Sequence, residues 1–366
     1  LKSLLRPYIA TIDRRLAQCR LYSEALYGGA IPDEGVGRGV QYRMCIVKDR
    51  AYFYVYNVLA CRDLGVPYET LDLLADDWAE RIGAIGCSAF LVWPTFFLSG
   101  LRSATEDRIS LLTQITGKPS VPAAHEIWLQ YSKRRTHDWL DAKCVPHAPT
   151  HVFFDRAAAL RFCASSSYPL ICKTDSGAAS SGVFVLRNKR AARRVVHRAF
   201  GRGLGLRTTR TPEKQQGYVI FQTYISHSCE WRVVRVGDDY LCRRKRKVGE
   251  FASGSGEIEY AVPPSRLLDF VEEVTDIGGF RCMAVDVFED SIGISEKGYL
   301  VNELQCLVGA KILPPNDAMG RWSREGKGWR FEKGDFYRNA CANLRLAWLL
   351  ARLRGTEPNP SEELQR

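Results

Sequence analysis

The chain has 366 residues, 46% of them hydrophobic and 25% charged, with 52 Lys and Arg against 41 Asp and Glu for a formal charge of +11. That length exceeds one ordinary core and that composition is a folded protein's, which excludes a disordered or fibrous chain and argues for two or three domains. The nearest approach to a membrane helix, FLVWPTFFL at 90–98, is short and broken by a proline, so no membrane span is expected; the positive excess favours anionic partners, whether nucleotide, nucleic acid, acidic membrane or acidic glycan.

No basic-then-apolar leader opens the sequence, and LKSLLRPYIATIDRRLAQCRLYSEALY reads equally as the trimmed edge of something longer. RAYFYVYNVLACRDLGVPYETLDL reads as an aromatic strand around 52–56, a helix ending near Gly65 and a strand at Tyr68–Leu71. A short helix at Asp76–Arg81, the buried strand IGCSAFLVW and the amphipathic helix ATEDRISLLTQITG, closed by Gly117, complete an open α/β unit over residues 1–125. KPSVPAAHEIW, with two prolines, reads as a connection.

A capped helix in YSKRRTHDWLDAK, a proline turn and a strand follow, then helix 155–167, strand 169–173, strand 182–186 and helix 188–200. Between those two strands runs YPLICKTDSGAASSGV (168–183), an apolar strand ending on Lys173 and then almost nothing but Gly, Ala and Ser. Backbone N–H groups in such a loop approach phosphate oxygens without a bulky side chain in the way, and a lysine at the strand end neutralises charge. Alone, the stretch is equally a phosphate lid and a plain hairpin; G-x-x-x-x-G-K-[ST] is absent.

From Tyr218 longer strands take over: YVIFQTYI, EWRVVRVGDDYLCRRKRK turning at Gly237-Asp238, CMAVDVFED and GYLVNELQ, with helix 265–276 and an amphipathic C-terminal helix in FYRNACANLRLAWLLARLR. The basic runs RNKRAARR and RRKRK are, as such runs usually are, solvated faces on first reading. Twelve scattered cysteines without C-x-x-C pairs read as free thiols of a reducing compartment, and six histidines, none clustered in sequence, read as structural.

The order of these segments resembles the ATP-grasp superfamily over residues 130–312, most closely the branch of the ribosomal-protein glutamate ligases, with D-alanine:D-alanine ligases and glutathione synthetases further off. The resemblance implies an N-terminal open α/β (pre-ATP-grasp) domain, 1–125, followed by a two-lobed ATP-grasp fold, 126–212 and 213–366, in α/β and α+β classes. It implies that Lys133 and Lys173 touch the phosphates of ATP beside Ser180, Ser181 and Gly182. Gln222, Thr223, Tyr224 and Ile225 would form the adenine hinge, and Glu230 would hold the ribose. Asp286, Glu303 and Gln305 would ligate Mg²⁺, two ions being expected and Mn²⁺ an alternative.

Two positions depart from the pattern. Gln305 stands where the family usually has Asn, and Ala284 where D-alanine ligases place the arginine for the transferring phosphoryl group, so that role is expected of Arg232, Arg243 and Arg246, with Arg244 and Lys245 partly out of phase. Alternation places Gln305 on the side of Glu303 and Asn302 on the opposite one.

The implied activity is a cytoplasmic, ADP-forming carboxylate–amine ligase working through an acyl phosphate, which joins an amino acid to a small molecule, peptide or glycan. The alternatives are an ATP-grasp phosphotransferase and a basic nucleic-acid-binding protein, the latter without an aromatic-basic signature to support it. Small-molecule acid and amine substrates, an acidic peptide or glycan, and a homo-oligomer are the expected partners.

Overall fold

The run MCIV is apolar at every position, which suits a strand covered on both faces, and in the computed structural model it is the centre of the first sheet. The structure describes residues 16–94, 99–177, 180–205, 214–249, 256–307 and 313–355. After a helix over 16–27 (α1) come β1 (Glu34–Gly35), β2 (Met44–Val47), α2 (Val55–Asp63), β3 (Tyr68–Leu71), α3 (Trp78–Ala84), β4 (Ala89–Val92), α4 (Ser99–Thr116) and β5 (Ser120–Val121). The strands lie in the order β1-β3-β2-β4-β5, parallel except for β1, which is the open α/β layer expected from the sequence.

Two local expectations fail here. The aromatic stretch 52–56 is not a strand: the Asp49 carboxylate accepts from the N–H groups of Ala51 and Tyr54, at 2.8 and 2.7 Å, which turns the chain into α2. Tyr54, Val55 and Tyr56 are buried there, within the core that α2 shares with the C-terminal part of the chain. The supposed connection at 118–128 holds β5 and α5 (Ala124–Leu129). Within α5, Glu126 is 1% exposed and accepts from three backbone donors, Ala123, Arg281 and Cys282, at 2.6–2.7 Å, so a short helix fastens the first unit to the last.

Next come α6 (Lys133–Ala142), β6 (Thr150–Phe153), α7 (Arg156–Ser165), β7 (Leu170–Lys173), β8 (Val183–Leu186), α8 (Lys189–Ala199) and β9 (Val219–Thr223). Ser132 caps α6, its side chain accepting from the Arg135 N–H. The antiparallel sheet runs β6-β9-β7-β8, so strand 219–223 completes this sheet and not the following one. Strand alternation then divides the residues. Leu170, Cys172, Val219 and Phe221 pack under α7 and α8, while Ile171, Lys173, Ile220 and Gln222 belong to the other face.

The third sheet comprises β10 (Cys229–Val236), β11 (Asp239–Arg246), β12 (Ile258–Tyr260), β13 (Cys282–Glu289), β14 (Tyr299–Gln305), β15 (Gly320–Glu325) and β16 (Gly328–Lys333), with α9 (Ser265–Ile277) and α10 (Ala342–Leu353). Its order is β14-β13-β10-β11-β15-β16, with β12 on β11. Trp231, Val233, Met283 and Val285 pack with Leu267, Leu268 and Val271 of α9. The opposite face carries Val234, Leu241 and Ala284 into the core with α2 and α10, and further along that face lie Glu230, Arg232, Lys245 and Asp286. Gly237, in the β10–β11 turn, has φ +60°, and a Cβ there would stand 2.2 Å from Trp348 of α10, so both turn and packing require glycine. Among the described residues no helix is long and apolar enough to cross a membrane, and all twelve cysteines are free.

Candidate functional site

Between the second and third sheets lies a cleft lined from one side by Lys173, Ile220 and Gln222, from the other by Val301, Asn302 and Glu303, and at its end by Lys133 and His137 of α6. Lys133 begins α6 because the Asp175 carboxylate, in the loop after β7, accepts from both Ser132 Oγ and the Arg134 N–H at 2.8 Å. That bond ties the small-residue loop to the helix, and Lys133 Nζ donates to the Gly177 carbonyl at 2.9 Å while standing 3.6 Å from Glu303. The loop itself closes an antiparallel β7–β8 hairpin in which Thr174 N–H meets the Gly182 carbonyl at 2.8 Å. Ser180 holds φ +60°, Ser181 is 7% exposed, and residues 178–179 lie outside the described residues.

A continuous chain of polar contacts crosses the cleft floor. Lys173 Nζ donates to Asn302 Oδ1 at 2.9 Å, and Asn302 Nδ2 donates to Glu230 at 2.9 Å. Lys245 pairs with Glu230 and, at 2.7 Å, with Asp286. Arg232 grips Asp286 in a bidentate fork, 2.7 Å to each oxygen, and Gln305 Nε2 adds a longer bond of 3.3 Å. Thus Lys133, Lys173, Glu230, Arg232, Asp286, Glu303 and Gln305 are brought together.

Burial and charge set the protonation of this cluster. Lys173 is 8% exposed, and desolvation lowers its pKa to about 8 despite the opposing pull of Glu303. Burial raises Glu230, with Lys245 opposing. Burial would raise Asp286 as well, but the charges of Arg232 and Lys245 overcome it and hold the carboxyl well below its usual range. Arg232, although desolvated, is pushed above its ordinary value by Asp286.

Several expected positions sit otherwise. Arg246, its side chain 61% exposed, pairs with Glu259 outside the cleft, because it alternates with Lys245 on β11. Arg243 is buried beside Arg232 with its guanidinium over Tyr337 at 4.2 Å and Tyr260 at 5.4 Å. Lys245, and not Arg246, contacts the acids of this cluster. The signal lay in the hairpin: counting outward from Gly237-Asp238 pairs Arg232 with Arg243 and Glu230 with Lys245.

Asn302 faces the cleft and not away from it, because the β13–β14 register slips between Asp286 and Val287: Asp286 stands opposite Glu303 but Val287 opposite Val301. The extra residue of that bulge lets neighbours 302 and 303 line one side. Glu230, expected to reach toward a ribose, is 2% exposed and committed to Lys245 and Asn302.

The hinge stretch splits in two. Gln222 donates to Thr150 Oγ1 at 2.9 Å and Thr223 N–H meets the Pro149 carbonyl at 2.8 Å, both within the sheet. Beyond them, no backbone hydrogen bond engages Tyr224 or the Ile225 N–H among the described residues. Two histidines separated in sequence also meet here: His147 Nδ1 lies 2.8 Å from the Val145 carbonyl and its Nε2 3.2 Å from His137 Nδ1. These contacts assign the proton of His147 to Nδ1 and leave His137 Nε2 as an acceptor; burial and then His147 lower the His137 pKa.

Oxygen donors suit a hard cation, and here Glu303 has Lys133 at 3.6 Å, while the Gln305 amide, donating through nitrogen to Asp286, keeps its carbonyl for another role. Asp286 differs: its Oδ2 accepts from Arg232, Lys245 and Gln305, while its Oδ1 accepts from Arg232 Nε and keeps a second acceptor position. Among the described residues no three His, Cys, Asp or Glu form a ready-made cage, so a cation here fits one that brings further oxygens with it.

No protein-family model and no curated protein sequence matches the chain. Among solved structures it is similar to the D-alanine–D-alanine ligase of Bacillus anthracis, with TM-score 0.54 and 14% identity over 88% of this chain and 99% of that one. It is similar also to the biotin carboxylase domain of the Hydrogenobacter thermophilus 2-oxoglutarate carboxylase, solved as a dimer with MgADP, ADP and bicarbonate, with TM-score 0.53 and 16% identity over 74% and 65% of the two chains. A RimK domain ATP-grasp protein of Sphaerobacter thermophilus aligns with TM-score 0.49 and 19% identity over 72% and 90%. The first two likenesses establish the fold.

Proposed function

We propose that this chain, which has the ATP-grasp fold, is an ATP-dependent ligase that joins a carboxylate to an amine and releases ADP and phosphate. The observation that carries the reading is the meeting of Lys133, Lys173, Glu230, Asp286 and Glu303, each from a different element, in one cleft between two sheets. In this reading residues 1–125 form the first domain and 126–212 and 213–366 the two lobes, strand 219–223 completing the middle sheet.

Lys133 and Lys173 neutralise the polyphosphate, and the backbone of Ser180, Ser181 and Gly182 covers it. Past Gln222 and Thr223, the backbone of Tyr224 and the N–H of Ile225, whose carbonyl is held by His227 Nδ1 at 2.8 Å, meet the adenine edge. Glu230 fixes Lys245 and Asn302, and reaches ribose hydroxyls only by sharing the oxygen it now gives Asn302. Mg²⁺ would be held by Glu303, the Gln305 oxygen and the second acceptor position of Asp286 Oδ1, and would supply charge neutralisation at the phosphates. Arg232, fixed through Nε and Nη2, keeps Nη1 for the phosphoryl group in transit, with the buried Arg243 beside it; Arg246 has no part in this arrangement.

A substrate carboxylate oxygen attacks the γ-phosphorus, ADP leaves, and the acyl phosphate is attacked at carbon by an amine, which loses a proton as phosphate departs. No side chain becomes a covalent nucleophile; the chain positions reactants and balances charge. Hydroxylamine in place of the amine, added with ATP, Mg²⁺ and a panel of amino acids and acidic peptides and glycans, should yield a hydroxamate with ADP. ADP with a phosphorylated acceptor and no hydroxamate would instead establish a kinase.

Lys173 also sets a pH dependence. The phosphates require its ammonium form, and burial lowers its free-state pKa to about 8. Above that value binding must take up a proton, so ATP affinity should fall as pH rises from 7 to 9, approaching roughly tenfold per unit at the alkaline end. Titration calorimetry across that range should show the slope, and Lys173→Met should remove it along with most of the affinity.

A further inference from the structure

The charge of this chain is not spread over it. Residues 151–212 contain twelve Lys and Arg against two Asp, a net +10 of the total +11. Neither acid covers the others: Asp155 caps α7, accepting from the Ala158 N–H, and Asp175 is turned to α6. Lys189, Arg190, Arg193, Arg194 and Arg198 are all exposed on α8, and none pairs with a carboxylate among the described residues.

This surface is not part of the cleft. α8 buries Ala192, Val196 and Ala199 against the side of the sheet that carries Leu170, Cys172 and Phe221, whereas Lys173 and Gln222 face the cleft from the other side. α7 lies beside α8, Arg156 at its start meeting His197 near the end of α8 at 2.6 Å, and adds exposed Arg156 and Arg161. At the edge of the layer Phe154 is 67% exposed, its ring 5.6 Å from Tyr218.

We propose that the α7–α8 face is a docking surface for an anionic lipid bilayer. Of the seven exposed cations on α7 and α8, six are arginines, which pair with phosphates through a planar fork. Two helices side by side span about 18–20 Å, too wide for the roughly 12 Å major groove of DNA; neither helix exposes a Phe, Tyr or Trp for stacking bases, and the exposed His197 of α8 is engaged by Arg156. A broad cationic field with one apolar side chain at its edge fits a planar polyanion, with headgroup phosphates against the arginines and Phe154 at the acyl boundary.

The full chain without nucleotide should co-sediment with vesicles of phosphatidylcholine and phosphatidylglycerol, but not of phosphatidylcholine alone, and should be released by salt. Each basic residue is worth about fivefold in partition, so R190E/R194E/R198E should lose roughly a hundredfold or more. A control with the same charge change on exposed positions elsewhere, K327E/R330E/R354E, should lose far less. Should charge reversal unfold the chain, the three Arg→Gln changes replace it, and an unchanged melting temperature qualifies either set. Equal losses in both sets, binding to neutral vesicles, or tighter binding to duplex DNA or polyglutamate than to the anionic vesicles would overturn the proposal. The surface stands independently of the ligase reading, and the α8 variants should keep calorimetric ATP binding intact, so failure of one is distinguishable from failure of the other.

Discussion

Glu303→Ala should abolish ADP release, by roughly 10²–10³-fold or more, while changing stability by no more than about 0.5 kcal/mol. The two halves of that expectation have separate causes. Glu303 is partly exposed to the cleft, and its ion-pair partner Lys133 lies at 3.6 Å, with the charge of Lys173 also near, so the folded protein loses little when the carboxylate goes. The proposed reaction, however, gathers negative charge on the phosphates, and Glu303 is the carboxylate that lines the cleft where a divalent ion would meet them. Steady-state ADP release and thermal unfolding measured on the same preparation check both halves, and unchanged turnover would remove Glu303 from the site.

Asp286→Ala should behave in the opposite manner toward stability. Its carboxylate is fully buried and neutralises Arg232 and Lys245, so its loss takes from Arg232 its paired carboxylate and leaves Lys245 with Glu230, and removing one partner of such a buried group costs about 3–5 kcal/mol. Asp286→Asn keeps the volume and leaves the same charges unbalanced, so it should recover little. Because Arg232 and Lys245 depress this carboxyl, its stabilising contribution is fully present above the ordinary aspartate pKa of about 4 and is lost only as pH falls toward the depressed value. Urea unfolding at neutral pH measures the difference. A stability change as small as that of Glu303→Ala would show that Asp286 is not the keystone of the cluster.

The contrast between these two acids bears on what a sequence can disclose. Lys173 was legible because a lysine closing a buried apolar strand has few ordinary explanations, and Asp286 because an acid inside AVDVF interrupts a run otherwise apolar. Both are local anomalies. Lys245 looked no different from its basic neighbours, and only the pairing across the hairpin, a relation between strands, separates it from Arg246. Asn302 was placed on the wrong face because period-two alternation holds only where no residue is inserted, and one is inserted opposite Asp286.

Fold elements divide similarly. Strand 219–223 is plain in composition, but its partners β6 and β7 lie far back in the chain, so its sheet was not evident. The hairpin β15–β16 was missed because both of its faces are largely exposed, which erases apolar alternation; what holds it are pairings such as Trp322 on Phe331, ring centres 4.9 Å apart, and Trp329 on Tyr240 at 5.0 Å. The aromatic run 52–56 has strand composition, yet the Asp49 turn and burial against the C-terminal core decide in favour of helix.

That one magnesium nucleotide is clasped between the two facing sheets is tested most directly by calorimetric titration of the protein with a non-hydrolysable ATP analogue and Mg²⁺. A single saturable site is expected, and it should be lost in the K133M/K173M variant while the melting temperature persists. An absence of heat in the wild-type chain, or undiminished affinity in that variant, would contradict it.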